Sequence, residues 1–334
     1  MHPLVTVLMP VYNGEKHLAD AVRSILDQTY RNFEFLVMDD GSTDKSLDIV
    51  KSFEDERIIV KRSDRNSGIA KTLNKGIALA RGKYIARMDC DDISLPDRLR
   101  RQADYLETHS DTGLIGSGIQ KIKKSRKQKV FTWPSKDTEI KLDLLFQSAF
   151  FHPTIMARAS LLRKIGYDEE LLYAQDYALW TKLAPETAFA NLPEALLLYR
   201  THDEQVTKKK GKQQAAIARL VKENYLFTLF GEITPEQLSV HHDIAERNRN
   251  TNLTLAGQWL EALVDMNRKK AIFPEDLFLK MMARKWWNCC KNNNQSAAKL
   301  WQDYKKSYLG SIDTGMQRNA LKYLLKASFR KQEK

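Results

Sequence analysis

Lys83-Tyr84-Ile85-Ala86-Arg87-Met88-Asp89-Cys90-Asp91-Asp92 is an apolar run that ends in three carboxylates within four positions. A strand ending this way gathers negative charge where backbone amides are also exposed, and such a cluster needs positive charge nearby. A hard divalent cation with oxygen ligands, Mg2+ or Mn2+, satisfies it and leaves coordination sites for water and substrate phosphates. The competing reading is a solvated acidic turn or a helix N-cap, because Ser94, Pro96 and Asp97 follow and suit a helix start.

Upstream of this stretch the same pattern occurs three times. Val5-Thr6-Val7-Leu8-Met9-Pro10 is a near-continuous apolar run, as expected of a strand covered on both faces. Tyr12-Asn13-Gly14 turns the chain, and Leu18, Ala21, Val22, Ile25 and Leu26 then recur at helical spacing. Phe33–Met38 is a second strand, ending in Asp39-Asp40-Gly41-Ser42 ahead of a helix with Leu47, Val50 and Phe53 on its inner face. Ile58-Ile59-Val60 is a third, followed by Asn66-Ser67-Gly68 and a helix showing Ile69, Leu73 and Ile77. Four strands alternating with three helices predict an α/β fold with an open, largely parallel sheet. Ligands collect at the carboxyl ends of such strands. Pro10–Asn13, Asp39–Asp40, Asn66–Gly68 and Asp89–Asp92 therefore share one edge. No GxGxxG fingerprint follows the first strand, and there is no P-loop.

Beyond the fourth strand, Leu99–Leu106 reads as a helix, Gly113–Gly118 as a short strand beside a glycine-rich bend, and Lys121–Lys129 as an exposed basic hairpin or loop. Phe150–Met156 reads as extended, with His152 accounted for by packing against Pro153 and neighbouring aromatics. Asp176 opens a helix whose Leu179, Trp180 and Leu183 point inward, a position that also suits the helix dipole. Leu196–His202 is a strand with His202 at its exit.

These residues resemble glycosyltransferase family 2, the inverting sugar transferases of GT-A fold. The resemblance rests on Val7–Asn13, Val37–Asp44, Asn66–Gly68, Asp89–Asp92 and Gln175–Tyr177, in family order over residues 4–205. It implies that Pro10, Val11, Tyr12, Asn13 and Asp40 hold the base and ribose of a nucleotide-sugar donor. Asp40 would accept from a ring N–H, and Ser67, Gly68, Lys71, Asp89 and Cys90 would line the donor site. Asp89 and Asp91 form the Asp-x-Asp element, with Asp91 a direct metal ligand, His202 an additional one, and Mn2+ or Mg2+ the cofactor. Asp176 matches the catalytic base that deprotonates an acceptor hydroxyl. Many family members carry Glu before that Asp, and here it is Gln175. No Gln-x-x-Arg-Trp motif follows Asp176, which implies single addition rather than polymerisation. A UDP-sugar donor and a glycan or glycolipid acceptor in cell-surface polysaccharide synthesis complete the expectation. The alternatives are a sugar nucleotidyltransferase and a non-catalytic nucleotide-sugar or nucleic-acid binding module.

Length and charge bound the rest. The 334 residues suggest two domains, with a division expected near residue 205, between a GT-A domain and a basic, mostly helical region. Residues 1–205 hold 30 basic and 30 acidic side chains, whereas residues 206–334 hold 24 and 12, so the net +12 lies in the second part. There Lys280, Arg284, Lys285, Lys322, Lys326 and Arg330, beside Trp286, Trp287 and Phe329, form a candidate peripheral contact with an anionic membrane. The same stripes also suit a helical cap. Three cysteines give no disulfide framework or zinc spacing. No run approaches a membrane span or a signal peptide, so the expected location is the cytoplasm.

Overall fold

The computed structural model describes residues 4–123, 126–201 and 211–312. The chain forms two compact units, one comprising the residues up to Leu144 together with Ser148–Val221, the other Leu145–Gln147 and the chain from Lys222.

The first unit is a mixed α/β sheet flanked by helices. Its parallel part is β1 (Val5–Val11), β2 (Phe33–Asp39), β3 (Ile58–Arg62) and β4 (Tyr84–Arg87), in the order β3-β2-β1-β4. Each apolar run is buried because helices cover the sheet: α1 (Glu15–Leu26) buries Leu18, Ala21, Val22 and Ile25, α2 (Ser46–Lys51) buries Val50, and α3 (Ile69–Leu79) buries Leu73 and Ile77. Gly76 lets α3 approach closely, since a Cβ there would stand 2.3 Å from a methyl of Leu8. The four carboxyl ends share one edge, as the alternation of strands and helices requires.

The sheet then continues through β8 (Met156–Arg158), β6 (Thr112–Lys123), β9 (Ala188–Arg200) and β5 (Ile93–Ser94), with β7 (Arg126–Phe131) paired to β6. Here the structure corrects the sequence reading. The glycine-rich bend is part of a 12-residue strand, parallel to β9 from Thr112↔Ala188 to Ile122↔Arg200. Gly113 and Gly116 are needed because β9 lies so close: a Cβ on Gly116 would meet Asn191 Oδ1 at 2.2 Å. The segment expected to be extended contains a 3-10 turn, His152–Thr154, ahead of β8. α4 (Arg98–Thr108), α5 (Asp137–Asp143), α6 (Ala159–Ile165) and α7 (Gln175–Leu183) complete this unit's helices up to β9, and α8 (Gly211–Phe230) follows it. Buried Arg98 ties α4 to the sheet by donating to the carbonyls of Arg87 and Ile155. Burial and the nearby Arg87 charge lower its pKa to about 9.

The second unit carries α9 (Pro235–Glu246), α10 (Leu253–Lys270), α11 (Glu275–Asn292) and α12 (Ala297–Lys306). Thr234 and Gln237 form a capping box for α9, and Asn252 caps α10. Trp259, Leu260, Leu263, Phe278, Met282 and Trp286 fill its core. Trp286 is thus not a membrane-facing side chain: it is buried, and its Nε1 donates to the Tyr304 carbonyl. Trp287 is half-buried beside Tyr304, Lys285 lies over the Phe146 ring, and Lys280 and Arg284 are exposed. Lys322, Lys326, Phe329 and Arg330 fall outside the described residues. Leu220 and Leu255 are exposed. α8 turns Val221, Tyr225 and Leu226 inward. Among the described residues no helix is long and apolar enough to cross a membrane.

Candidate active site

Asp40 follows β2 directly and is buried, and its carboxylate clamps the next turn. Oδ1 accepts from Ser67 N at 2.9 Å and Ser67 Oγ at 2.8 Å, while Oδ2 accepts from Gly68 N at 2.9 Å. The residue expected to read a base N–H therefore also fixes Ser67 and Gly68 at the start of α3. Ser67 N is shared between the two oxygens, lying 3.1 Å from Oδ2 as well.

Asn13 adopts φ 51° at the end of the β1 turn. Its Oδ1 accepts from Thr43 N, its own N–H donates to Ser42 Oγ, and Gly14 N donates to Ser46 Oγ. Pro10 and Val11 lie at the strand end with Val11 buried, and Tyr12 is exposed with room to stack on a ring. Gly14 sits against Cys90, where a Cβ would stand 2.9 Å from Sγ. Gly41, at φ +77°, packs on the backbone of Arg65 and Asn66. The four strand-end turns are thus joined by direct contact. Lys71 is exposed on the first turn of α3.

Across β1 from Asp40, the carboxylates of Asp89, Asp91 and Asp92 offer oxygens all within 4.8 Å of one another. Arg87, buried at the end of β4, forms an ion pair with Asp89. Asp92 is buried and accepts from Arg200 N at 2.8 Å through Oδ1, while its buried Oδ2 has no hydrogen-bond partner. Arg200 Nε donates to the Asp91 carbonyl. Burial raises the pKa of Asp89, with Arg87 opposing and Asp91 and Asp176 reinforcing the rise. Burial, Asp89 and Asp91 raise that of Asp92 well above the usual carboxylate range. An orphaned, buried carboxylate oxygen in a cluster of hard ligands is the donor set that a divalent cation fits.

Asp176 stands in the first turn of α7, half-buried, and follows Ala174, which is held at φ 53°. Its pKa is raised by burial and held back by the Tyr177 backbone N–H and by Arg87. Arg87 thus acts on Asp89, Asp92 and Asp176 alike. It also faces a neutral pair, His152 Nε2 and Tyr167 Oη at 2.7 Å. Burial and then Arg87 push the pKa of His152 well below the usual imidazole value. His152 packs edge-on against Trp180, so the packing expected from its sequence context is present, at the rim of the charged cluster.

The structure thus brings Asp40, with Ser67 and Gly68, and Asp89 and Asp91 to one sheet edge, with Asp176 within electrostatic reach of Asp89. His202 lies outside the described residues. Sequence reasoning counted Asp92 in the acidic cluster without giving it a role of its own, and it missed Arg87 and Tyr167. The available signal for Arg87 was a single cation in an otherwise apolar strand.

The family model for glycosyl transferase family 2 matches residues 6–166. An uncharacterized glycosyltransferase of Methanocaldococcus jannaschii is 38% identical over 205 residues, spanning 59% of this chain and 71% of that protein. The chain belongs to glycosyl transferase family 2. Another relative, the O-antigen biosynthesis glycosyltransferase WbnJ of Escherichia coli, is 30% identical over 215 residues, spanning 61% of this chain and 82% of that protein. The family's fold is also seen in the crystal structure of S. aureus TarS 1–349 in complex with UDP-GlcNAc. That structure superposes with a TM-score of 0.59 at 19% identity, over 90% of this chain and 91% of that one. The GT-A fold expected from the sequence is therefore present.

Proposed function

We propose that this glycosyltransferase moves one sugar from a nucleotide-diphosphate donor, a UDP-sugar first, to a hydroxyl of a glycan or glycolipid acceptor. The transfer inverts the anomeric configuration and serves cell-surface polysaccharide assembly at the cytoplasmic face of the membrane. The observation that carries the reading is that Asp89, Asp91 and Asp92 offer carboxylate oxygens within 4.8 Å of one another at the sheet edge where Asp40 holds Ser67 and Gly68. The O-antigen role of WbnJ and the UDP-GlcNAc held by TarS agree with it.

Asp40 orders Ser67 and Gly68 to receive the donor, and Tyr12 offers its exposed ring to the base. Asp91, Asp89 and Asp92 would hold Mg2+ or Mn2+, which supplies charge neutralisation for the diphosphate leaving group. Asp176 accepts the acceptor hydroxyl proton as that oxygen bonds to the anomeric carbon and the bond to the diphosphate breaks. The raised pKa of Asp176 moves it toward working pH, as a general base requires.

Asp176→Asn should lower transfer by about 10² to 10⁴-fold while leaving donor-induced thermal stabilisation intact. Near-normal turnover by this variant would remove Asp176 from the mechanism. A thermal-shift panel of UDP-, GDP- and dTDP-sugars, with and without Mn2+, should show metal-dependent stabilisation by the UDP series. Stabilisation by another series alone would reassign the base.

A further inference from the structure

The β6–β7 ribbon carries a charge that nothing in the described structure neutralises. Between Asp111 and Asp137 the sequence has no acidic residue. Lys121, Lys123, Arg126, Lys127 and Lys129 form no ion pair among the described residues, although exposed cations elsewhere do, as in Lys83–Glu107, Lys164–Glu186 and Lys182–Asp168. All six side chains of β7 are exposed, so both of its faces meet solvent. Val130 and Phe131 are 43% and 36% exposed, and Lys121 and Lys129 lie over the Phe131 ring. Protecting a sheet edge needs only a charge or two. Five unpaired cations around exposed apolar side chains exceed that need.

The turn end of the ribbon lies beside the strand that reaches the acidic cluster. Lys121 is in register with Tyr199 and Ile122 with Arg200. Arg200 donates to Asp92 and to the Asp91 carbonyl. Whatever the ribbon binds is therefore delivered beside the acidic cluster. A nucleic acid has no use there, whereas a membrane surface carrying a lipid-linked acceptor does.

We propose that the β6–β7 ribbon docks the enzyme on an anionic phospholipid surface, with Lys121, Lys123, Arg126, Lys127 and Lys129 facing the headgroups beside the acidic cluster. The purpose of this contact rests on the transfer reading above, but the contact itself is measured independently of it.

The test uses the full chain and a variant with all five residues changed to Gln. Wild type should float with phosphatidylcholine vesicles containing phosphatidylglycerol at low salt, stay at the bottom with phosphatidylcholine alone, and detach as salt rises. The variant should lose at least about tenfold in vesicle affinity with an unchanged melting temperature and an unchanged donor-induced shift. The proposal is overturned if wild type does not float, if it floats equally on neutral vesicles, if the variant floats as well as wild type, or if a DNA duplex competes it off the vesicles. Failure of the transfer reading would appear in the Asp176→Asn assay and leave flotation unchanged.

Discussion

Arg87 is buried and acts on three carboxylates and a histidine that belong to three different parts of the sequence. Breaking a buried pair from one side strands a charge, which typically costs about 3–5 kcal/mol. Arg87→Leu should therefore lower unfolding free energy in urea by that order, whereas Lys164→Gln, which breaks the exposed pair with Glu186, should cost less than about 1 kcal/mol. For Asp176 the sign of the pH effect follows from its role. A base must be ionised, and its pKa is raised by burial, so the acid limb of the kcat/KM profile should lie above that of an ordinary aspartate. A limb at or below the ordinary aspartate value would contradict the burial effect. Asp176 and the Asp-x-Asp carboxylates could be read from their neighbours in sequence. Arg87 could not, because a cation in a four-residue strand looks the same whether the sheet around it is open or closed.

α3 links donor-side and acceptor-side segments. Its N-terminus is held by Asp40, Gly76 packs on β1, and Asn74 holds both the N–H and the carbonyl of Tyr167. The two turn glycines near it should respond differently to substitution. Gly68 has φ +91° with open space around it, so Gly68→Ala should cost only backbone strain, about 1–2 kcal/mol. Gly41 has φ +77° and would also drive a Cβ to 2.8 Å from the Arg65 backbone, so Gly41→Ala should lower the melting temperature further. Equal losses would show that the β2 and β3 turns are not held together as the structure has them. The β1–β4 half was readable because each strand is a short apolar run followed by a helix of regular period. The β6–β9 half was not, because its glycines answer to side chains 74 or 75 positions away, Thr187 for Gly113 and Asn191 for Gly116.

Over the whole chain the positive charge is distributed differently from what a basic helical region suggests. Residues 222–312 hold 13 basic and 10 acidic side chains, so the excess beyond residue 205 is concentrated in residues 206–221 and 313–334. In the second unit His241 accepts from Trp259 Nε1 through Nδ1 and donates through Nε2 to the Leu145 carbonyl, which fixes it as neutral. Burial lowers its pKa to about 3. Between the unfolded value near 6.5 and about 3, the unfolded chain binds the extra proton. His241 therefore makes stability fall as pH drops through that window, by up to about 1.4 kcal/mol per pH unit. His241→Gln should flatten the pH dependence of unfolding between those values, and an unchanged slope would assign the acid sensitivity to other groups.

The alternation of apolar runs and helical stripes determined by itself that four parallel strands carry their polar turns to one edge, because period and chain order fix which faces are covered and where strands end. The tertiary structure decided which charges are buried: that Arg87 lies among the carboxylates, that Asp40 ties down Ser67 and Gly68, that Trp286 faces a core and the β7 lysines face solvent. Burial depends on what closes over a residue, and the closing groups come from segments far away along the chain.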